Sequence, residues 1–136
     1  SMRPLSISGL RFPDNTDGSL YMNWKSHLDD TSAALAAFRT AHPETGAGFT
    51  GLHRATMAEG SMSVREKELV ALGIGIAKQC VDCIGFHVQS AAKAGASRDD
   101  VADTVSVAVM MGGGPAYMYG VKALEAYDQL IGPTAV

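Results

Sequence analysis

The sequence predicts a single compact all-α domain of about six helices, and three observations lead to this fold class. The chain has 136 residues, 46% of them hydrophobic and 18% charged, which suffices for one domain with its own core. Apolar residues recur at helical spacing, and no segment shows the sustained alternation of a β-strand. Glycine and proline residues divide this pattern into helix-sized segments.

The chain is predicted to begin with an extended arm at residues 1–18, which are rich in Pro, Gly, Asn and Asp. The helical domain is expected to span residues 19–132. Its first helix, from Leu20 to Ala41, should end at His42-Pro43, because a residue before proline avoids helical backbone angles. The apolar anchors expected on this helix are Leu28, Leu35 and Phe38.

The third helix carries the clearest start signal. It follows a short second helix, which is expected within residues 44–60. Ser63 and Glu66 match a capping box, in which each side chain binds the backbone N–H of the other residue. The helix over 64–79 is apolar on almost every side, so we expect it to be buried in the core or between subunits. Two glycines that would let another backbone approach it closely are Gly73 and Gly75.

Glycine and proline also delimit the remaining helices. A fourth helix over about 82–94 should stop at the glycine that follows it. A fifth helix runs from Ser97 to Met111, and Gly112-Gly113-Gly114 breaks it. Pro115, which suits the first turn of a helix, opens the last one, and Gly132-Pro133 ends it.

The charge balance argues against several classes of partner. The formal net charge is −3, from 11 basic and 14 acidic residues, so no basic surplus points to nucleic acid or an anionic membrane. No apolar run reaches the roughly 18 residues of a transmembrane helix, and the first residues lack the apolar core of a signal peptide. We therefore expect a cytoplasmic protein with no nucleic-acid or membrane partner.

The candidate chemistry is concentrated in the segment Cys80-Val81-Asp82-Cys83-Ile84-Gly85-Phe86-His87. Two cysteines this close enclose too small a loop to stabilise a fold, so in a cytosolic chain the pair is typical of a redox or metal site. A helix start would stabilise a thiolate, which is the attacking species in disulfide exchange. His87 lies one turn beyond Cys83 on the same helix face, where it could accept or relay a thiol proton.

A metal site and an inert pair are the alternatives to a redox pair. Cys80, Cys83 and His87 are three plausible zinc ligands, and His42 or His53 would have to supply the fourth ligand of a closed structural site. A buried cysteine without chemistry behaves as a small apolar residue. The redox interpretation is favoured, and neither a metal nor another cofactor is expected.

The spacing of Glu68, Cys80, Cys83 and His87 closely resembles that of the alkylhydroperoxidase-D-like group of the carboxymuconolactone decarboxylase family. The resemblance covers about residues 45–127. Flanking segments that share it are Glu66-Lys67-Glu68-Leu69-Val70-Ala71-Leu72, Ala91-Ala92-Lys93-Ala94-Gly95-Ala96, Asp99-Asp100-Val101 and the glycine-rich segment up to Pro115-Ala116.

The resemblance implies an all-helical, obligate homo-oligomer, commonly a trimer or a hexamer. It implies thiol-dependent reduction of a peroxide, with the cysteines cycling between dithiol and disulfide. We extend this expectation to reduction of a disulfide on a partner protein. The implied catalytic residues are Cys83 as the attacking thiol, Cys80 as its partner, and Glu68 and His87 as a proton relay. The decarboxylase branch proper generally lacks the cysteine pair, which argues against lactone decarboxylation.

One position departs from the pattern of this group. The best-characterised peroxidase members carry a histidine just before the second cysteine, where this chain has Asp82. A carboxylate beside Cys83 would disfavour its thiolate. The favoured interpretation is that Asp82 caps the helix that begins there. His27, His42 and His53 are interpreted as ordinary surface histidines.

The placement of Glu68 stays open at this stage. In one straight helix it would lie roughly 18 Å from Cys80 along the axis. Either the helix breaks early, or the next helix folds back so that His87 approaches Glu68, or Glu68 acts on a neighbouring subunit. The structural alternative is an ion pair of Glu68 with Lys67 or Arg65 of another chain.

The apolar third helix also predicts assembly, because a monomer of this size has few helices to cover it. Identical chains usually assemble with closed rotational symmetry. Together with the resemblance, this predicts a trimer or a hexamer, with the cysteines close to subunit interfaces and the 1–18 arm across a neighbour. The alternative function is a non-enzymatic helical oligomer whose Cys-x-x-Cys-x-x-x-His segment senses redox state or binds a metal.

Overall fold

The computed structural model describes residues 22–132, which form five helices and no strand. The helices are α1 (Trp24–Ala41), α2 (Pro43–Met57), α3 (Val64–Ala77), α4 (Val81–Lys93) and α5 (Arg98–Leu130). The all-α prediction is confirmed for this part of the chain. The arm predicted at residues 1–18 lies outside the described residues.

Helix α5 consists of two helical halves, and this accounts for the prediction of about six helices. Gly113 interrupts it with φ 73° and ψ −154°, a conformation that glycine adopts without the steric penalty of a Cβ. Pro115 follows at the start of the second half, where its missing N–H removes no helical hydrogen bond. The predicted break at 112–114 is therefore confirmed.

The two halves of α5 are joined by an ion pair between buried Arg98 and partly buried Asp128. Arg98 Nε donates to Asp128 Oδ1 at 2.8 Å, and Nη2 donates to Oδ2 at 3.0 Å. This paired carboxylate raises the pKa of Arg98 above its ordinary value. The bidentate geometry fixes the direction in which the chain returns after Gly113.

The core lies between α3, α4 and both halves of α5, and one aromatic residue joins α1 to it. Trp24 is fully buried; its backbone N–H donates to Gln129 Oε1 at 2.8 Å and its indole N–H to Glu125 Oε1 at 3.1 Å. Burial raises the pKa of the Glu125 carboxyl, and the Trp24 hydrogen bond offsets part of that rise. The start of α1 is thus anchored on the end of α5.

The predicted starts of α3 and α5 are confirmed by their caps. Ser63 Oγ accepts from the Glu66 N–H at 3.1 Å, while Glu66 Oε1 accepts from the Ser63 N–H at 3.0 Å. The same reciprocal pair joins Ser97 and Asp100 at the start of α5. These hydrogen bonds lower the pKa values of Glu66 and Asp100, because they favour the charged carboxylates.

The segment from the second half of α1 through α2, residues 32–57, contributes almost nothing to the core, and we call it the α1–α2 hairpin. Its one buried residue is Gly46. Of the three anchors predicted on α1, Leu28 is buried, but Leu35 and Phe38 are 46% and 49% exposed. The prediction for these two is therefore wrong within the single chain, because the hairpin extends past the core.

Helix α3 is buried on one side only. Leu72 and Ile76 are fully buried, whereas Val70 and Ile74 are about half exposed. Burial on all sides is therefore wrong within one chain, and burial between subunits stays a prediction. None of the described helices combines the length and apolarity needed to span a bilayer.

Candidate functional site

The turn between α3 and α4 brings the candidate residues together. It is closed by backbone hydrogen bonds from Lys78 N–H to Ile74 O at 2.8 Å and from Cys80 N–H to Gly75 O at 3.0 Å. Gln79 takes φ 58°, which is uncommon for a residue with a side chain. The turn reverses the chain, so α4 runs antiparallel to α3 and packs along it.

Close packing of α4 on α3 depends on Gly75. A Cβ at this position would lie 3.1 Å from the Cβ of Cys83, which is tighter than ordinary van der Waals contact. The close approach predicted for this glycine therefore occurs inside one chain, between α3 and the first turn of α4. At Gly73 an added Cβ would meet Thr104 Cγ2 at 3.6 Å, an ordinary contact distance.

Cys80 and Cys83 form a disulfide at the start of α4, with their Cα atoms 5.2 Å apart. Cys80 is the N-cap residue of α4, and its Sγ accepts from the Cys83 N–H at 3.2 Å. Both residues are partly exposed. The sulfurs therefore lie at the positive end of a helix, where backbone N–H groups favour a thiolate.

Glu68 and His87 form a direct pair between α3 and α4. His87 Nδ1 lies 2.7 Å from Glu68 Oε2, and Glu68 is only 4% exposed. Of the three arrangements considered for Glu68, the structure has the second, in which the next helix folds back and brings His87 to it. The alternative ion pair of Glu68 with Lys67 or Arg65 of another chain is not needed to explain its burial.

The pair determines which nitrogen of His87 is available for chemistry. An ionised carboxylate only accepts hydrogen bonds, so beside an ionised Glu68 the proton of a neutral His87 ring lies on Nδ1, and Nε2 is then the basic nitrogen. Within residues 22–132, Nε2 has no protein hydrogen-bond partner. Cys83 and His87 lie four residues apart on α4 and share a face. The arrangement can accept a proton near the cysteine pair and return it.

Asp82 is not the cap of α4, and that prediction is wrong. The chain already has helical geometry at Val81, so Cys80 occupies the N-cap and Asp82 lies within the first turn. Its carboxylate is directed to α1, where Oδ1 accepts from Thr31 Oγ1 at 3.0 Å and contacts His27 Nε2. His27 is therefore not a solitary surface histidine. The one sequence signal for this contact is the i, i+4 spacing of His27 and Thr31, which places both side chains on the same face of α1.

The other histidines belong to the α1–α2 hairpin. His42 lies between α1 and α2 and stacks on Phe38, with ring centroids 5.2 Å apart; His53 lies on α2. No group of three or more His, Cys, Asp and Glu side chains in the described part of the chain could hold a metal ion. The zinc alternative gains no support from this geometry.

Comparisons with known proteins agree on one family. Residues 43–126 match the sequence profile of the carboxymuconolactone decarboxylase family. The crystal structure of an apo family protein from Legionella pneumophila aligns with a TM-score of 0.74 at 43% identity, covering 76% of this chain and 94% of that chain.

Two further relatives extend this likeness. A Thermotoga maritima family protein, described as a candidate participant in the antioxidative response, aligns with a TM-score of 0.70 at 22% identity, covering 77% of this chain and 90% of that one. At this identity the likeness is one of fold. An uncharacterized Cupriavidus necator protein is 34% identical over 106 residues, which is 78% of this chain and 94% of that protein.

Proposed function

The chain belongs to the carboxymuconolactone decarboxylase family, and from that premise we propose that it is a thiol-dependent peroxidase or disulfide oxidoreductase acting through Cys80 and Cys83. One observation carries the proposal. A buried carboxylate, Glu68, is hydrogen bonded to His87, which lies one turn beyond Cys83 on the helix that the cysteine pair begins. A nearby base promotes formation of the thiolate in a redox dithiol, and the Glu68–His87 pair is suited to act as that base.

The proposed reaction consumes one peroxide for each disulfide formed. The Cys83 thiolate attacks one peroxide oxygen, the O–O bond breaks, and the other oxygen leaves and takes up a proton, so Cys83 becomes a sulfenic acid. The Cys80 thiolate then attacks the Cys83 sulfur, the S–O bond breaks, and water leaves after protonation. Two thiols and a hydroperoxide thus give a disulfide, an alcohol and water. An external dithiol restores the pair by thiol–disulfide exchange and is itself oxidised.

The residues of α3 and α4 divide the work in this scheme. His87 Nε2 takes the proton of the Cys83 thiol and returns it to the leaving oxygen, while Glu68 holds the ring and stabilises its protonated form. The Cys83 N–H, which donates to Cys80 Sγ in the oxidised state at 3.2 Å, stabilises a thiolate on Cys80. Cys80 is thereby suited both to attack the sulfenic acid and to leave when the disulfide is reduced.

We also propose that the protein is a cytoplasmic homo-oligomer, a trimer or a hexamer. On the α1–α2 hairpin Phe49 is 71% exposed, and on α5 Met111 is 76% exposed. A monomer rarely leaves so many large apolar side chains in water, and identical chains cover them with closed symmetry. The large apolar side chains that support this proposal are Leu35, Phe38, Phe49, Leu52, Val70, Ile74, Val107, Met110 and Met111.

Peroxide consumption driven by a dithiol tests the activity. The wild-type protein should consume hydrogen peroxide or an organic hydroperoxide faster than an equal concentration of free thiol, and Cys83→Ser should reduce the rate to that of the buffer. His53→Ala, on the α1–α2 hairpin, is the matched histidine control and should leave the rate unchanged. A disulfide that forms and is reduced reversibly, without turnover above free thiol, would favour the redox-sensor alternative.

A further inference from the structure

Asp82 places a negative charge inside the cysteine pair. It is the residue directly before Cys83, in the first turn of α4, and its side chain is 45% exposed. A carboxylate so close to a thiol opposes thiolate formation. The helix start favours the thiolate, so the local sequence contains two opposing effects on the same sulfur.

The fold supplies a partner for this charge from another helix. His27 of α1 contacts Asp82 Oδ1 through Nε2, and Thr31, one turn further along α1, donates to the same oxygen at 3.0 Å. We propose that His27 is a positioning residue for the redox centre, which holds the Asp82 carboxylate toward α1, offsets its charge and so preserves thiolate formation at the cysteine pair.

The charged groups around this end of α4 allow the effect of His27 to be isolated. Asp82 and His87 lie on α4 itself, His27 comes from α1, and Glu68 of α3 is already paired with His87. Within the described residues, no α5 side chain forms a hydrogen bond or an ion pair with α4. His27 is therefore the ionisable side chain in contact with Asp82.

A purely structural contact would behave differently from the proposed one. A contact that only joins α1 to α4 would change the stability of the fold and leave the ionisation of the thiols unchanged. The proposed role acts through the charge of Asp82, so it disappears when that charge is removed. The inference rests on the proposed redox function, but thiol ionisation is measurable without a substrate.

The test is the apparent pKa of the more acidic thiol in the reduced protein, followed by thiolate absorbance near 240 nm as pH is raised. His27→Ala should raise this pKa by about half a unit to one unit, as expected for a carboxylate that loses a partner in a half-exposed site. Asp82→Asn should lower it. In the Asp82→Asn background, His27→Ala should change the pKa by less than about 0.2 units.

Two variants act as controls within the same contact. Thr31→Val removes the uncharged donor to Asp82 and should shift the pKa less than His27→Ala does. His27→Arg supplies a cationic donor at the same position and should keep the pKa at or below its wild-type value. The inference would be contradicted if His27→Ala shifted the thiol pKa equally in the wild type and in the Asp82→Asn background. It would also be contradicted if His27→Ala lowered the thermal midpoint of unfolding and left the thiol pKa unchanged.

The result separates this inference from the proposed function. A wild-type protein that lacks peroxide turnover but shows the His27 effect contradicts the function alone. An active peroxidase whose thiol pKa is the same in the wild type and in the His27 and Asp82 variants contradicts the inference alone. If His27→Ala does not fold, Asp82→Asn still tests the inference, because an unchanged thiol pKa in Asp82→Asn is incompatible with the proposal.

Discussion

The site between α3 and α4 and the α1–α2 hairpin use apolar and small residues in opposite ways. At the site, one glycine lets two helices approach until a buried carboxylate meets a histidine from the next helix. On the hairpin, large apolar side chains such as Phe49 and Leu52 remain mostly exposed. The Glu68–His87 pair and the Cys80–Cys83 disulfide thus form within one chain, whereas the described residues of that chain leave the large apolar side chains of the hairpin uncovered.

The largest effect is expected from the proposed proton relay of Glu68 and His87. His87→Ala should lower the rate of peroxide reduction by on the order of a hundredfold, because a positioned acid or base contributes about that much. Glu68→Gln should also lower the rate. Turnover with a dithiol donor measures both, and circular dichroism checks that the helices persist. Unaltered kinetics in Glu68→Gln would make Glu68 a structural partner of His87 and nothing more.

A smaller effect is expected from the packing that forms the site. Gly75→Ala should leave the protein about 1–2 kcal/mol less stable than Gly73→Ala, since only the first methyl presses on a neighbouring helix. That methyl would lie 3.1 Å from the Cβ of Cys83, against 3.6 Å from Thr104 Cγ2 at position 73. Denaturant unfolding of the oxidised proteins measures the difference. Equal stabilities would show that α4 shifts away from α3 without penalty.

The smallest effect on the stability of the single chain should come from the hairpin, although its effect on assembly should be clear. Phe49 is 71% exposed, so Phe49→Ser should change the stability of the isolated chain by no more than about 0.5 kcal/mol. The oligomer mass should fall, while the Cys80–Cys83 disulfide still forms. Light scattering measures the mass, with the neighbouring Thr50→Ser as the control. A wild-type mass near 14.2 kDa would refute the proposed assembly.

Sequence reasoning succeeded where the determining interactions are local. The capping boxes at Ser63 and Ser97 involve residues three positions apart, so the starts of α3 and α5 could be predicted from the sequence. The break at Gly113 follows from backbone preferences in the same way. The cysteine pair at the start of α4 is likewise a local feature.

Contacts that depend on packing between helices could not be predicted from the sequence. The Glu68–His87 pair requires the register of α4 on α3, which spacing alone left open among three arrangements. Asp82 was expected to cap α4 because Asp favours that position, but the N-cap lies two residues earlier, at Cys80, and Asp82 meets His27, 55 residues away. The exposure of Leu35 depends on where the hairpin leaves the core. The sequence could not predict it, because an apolar helical pattern is the same for side chains that pack in a core and for those that pack in a subunit interface.

The most direct test of the proposed chemistry is a single turnover of the fully reduced protein. One equivalent of hydroperoxide is mixed with the protein, and free thiols, remaining peroxide and peptide masses are followed together. We expect one peroxide consumed per chain, faster than by an equal concentration of free thiol, and a loss of two hydrogens in the peptide that holds Cys80 and Cys83. Two unchanged free thiols with the peroxide still present would contradict the assignment of this pair as a redox centre.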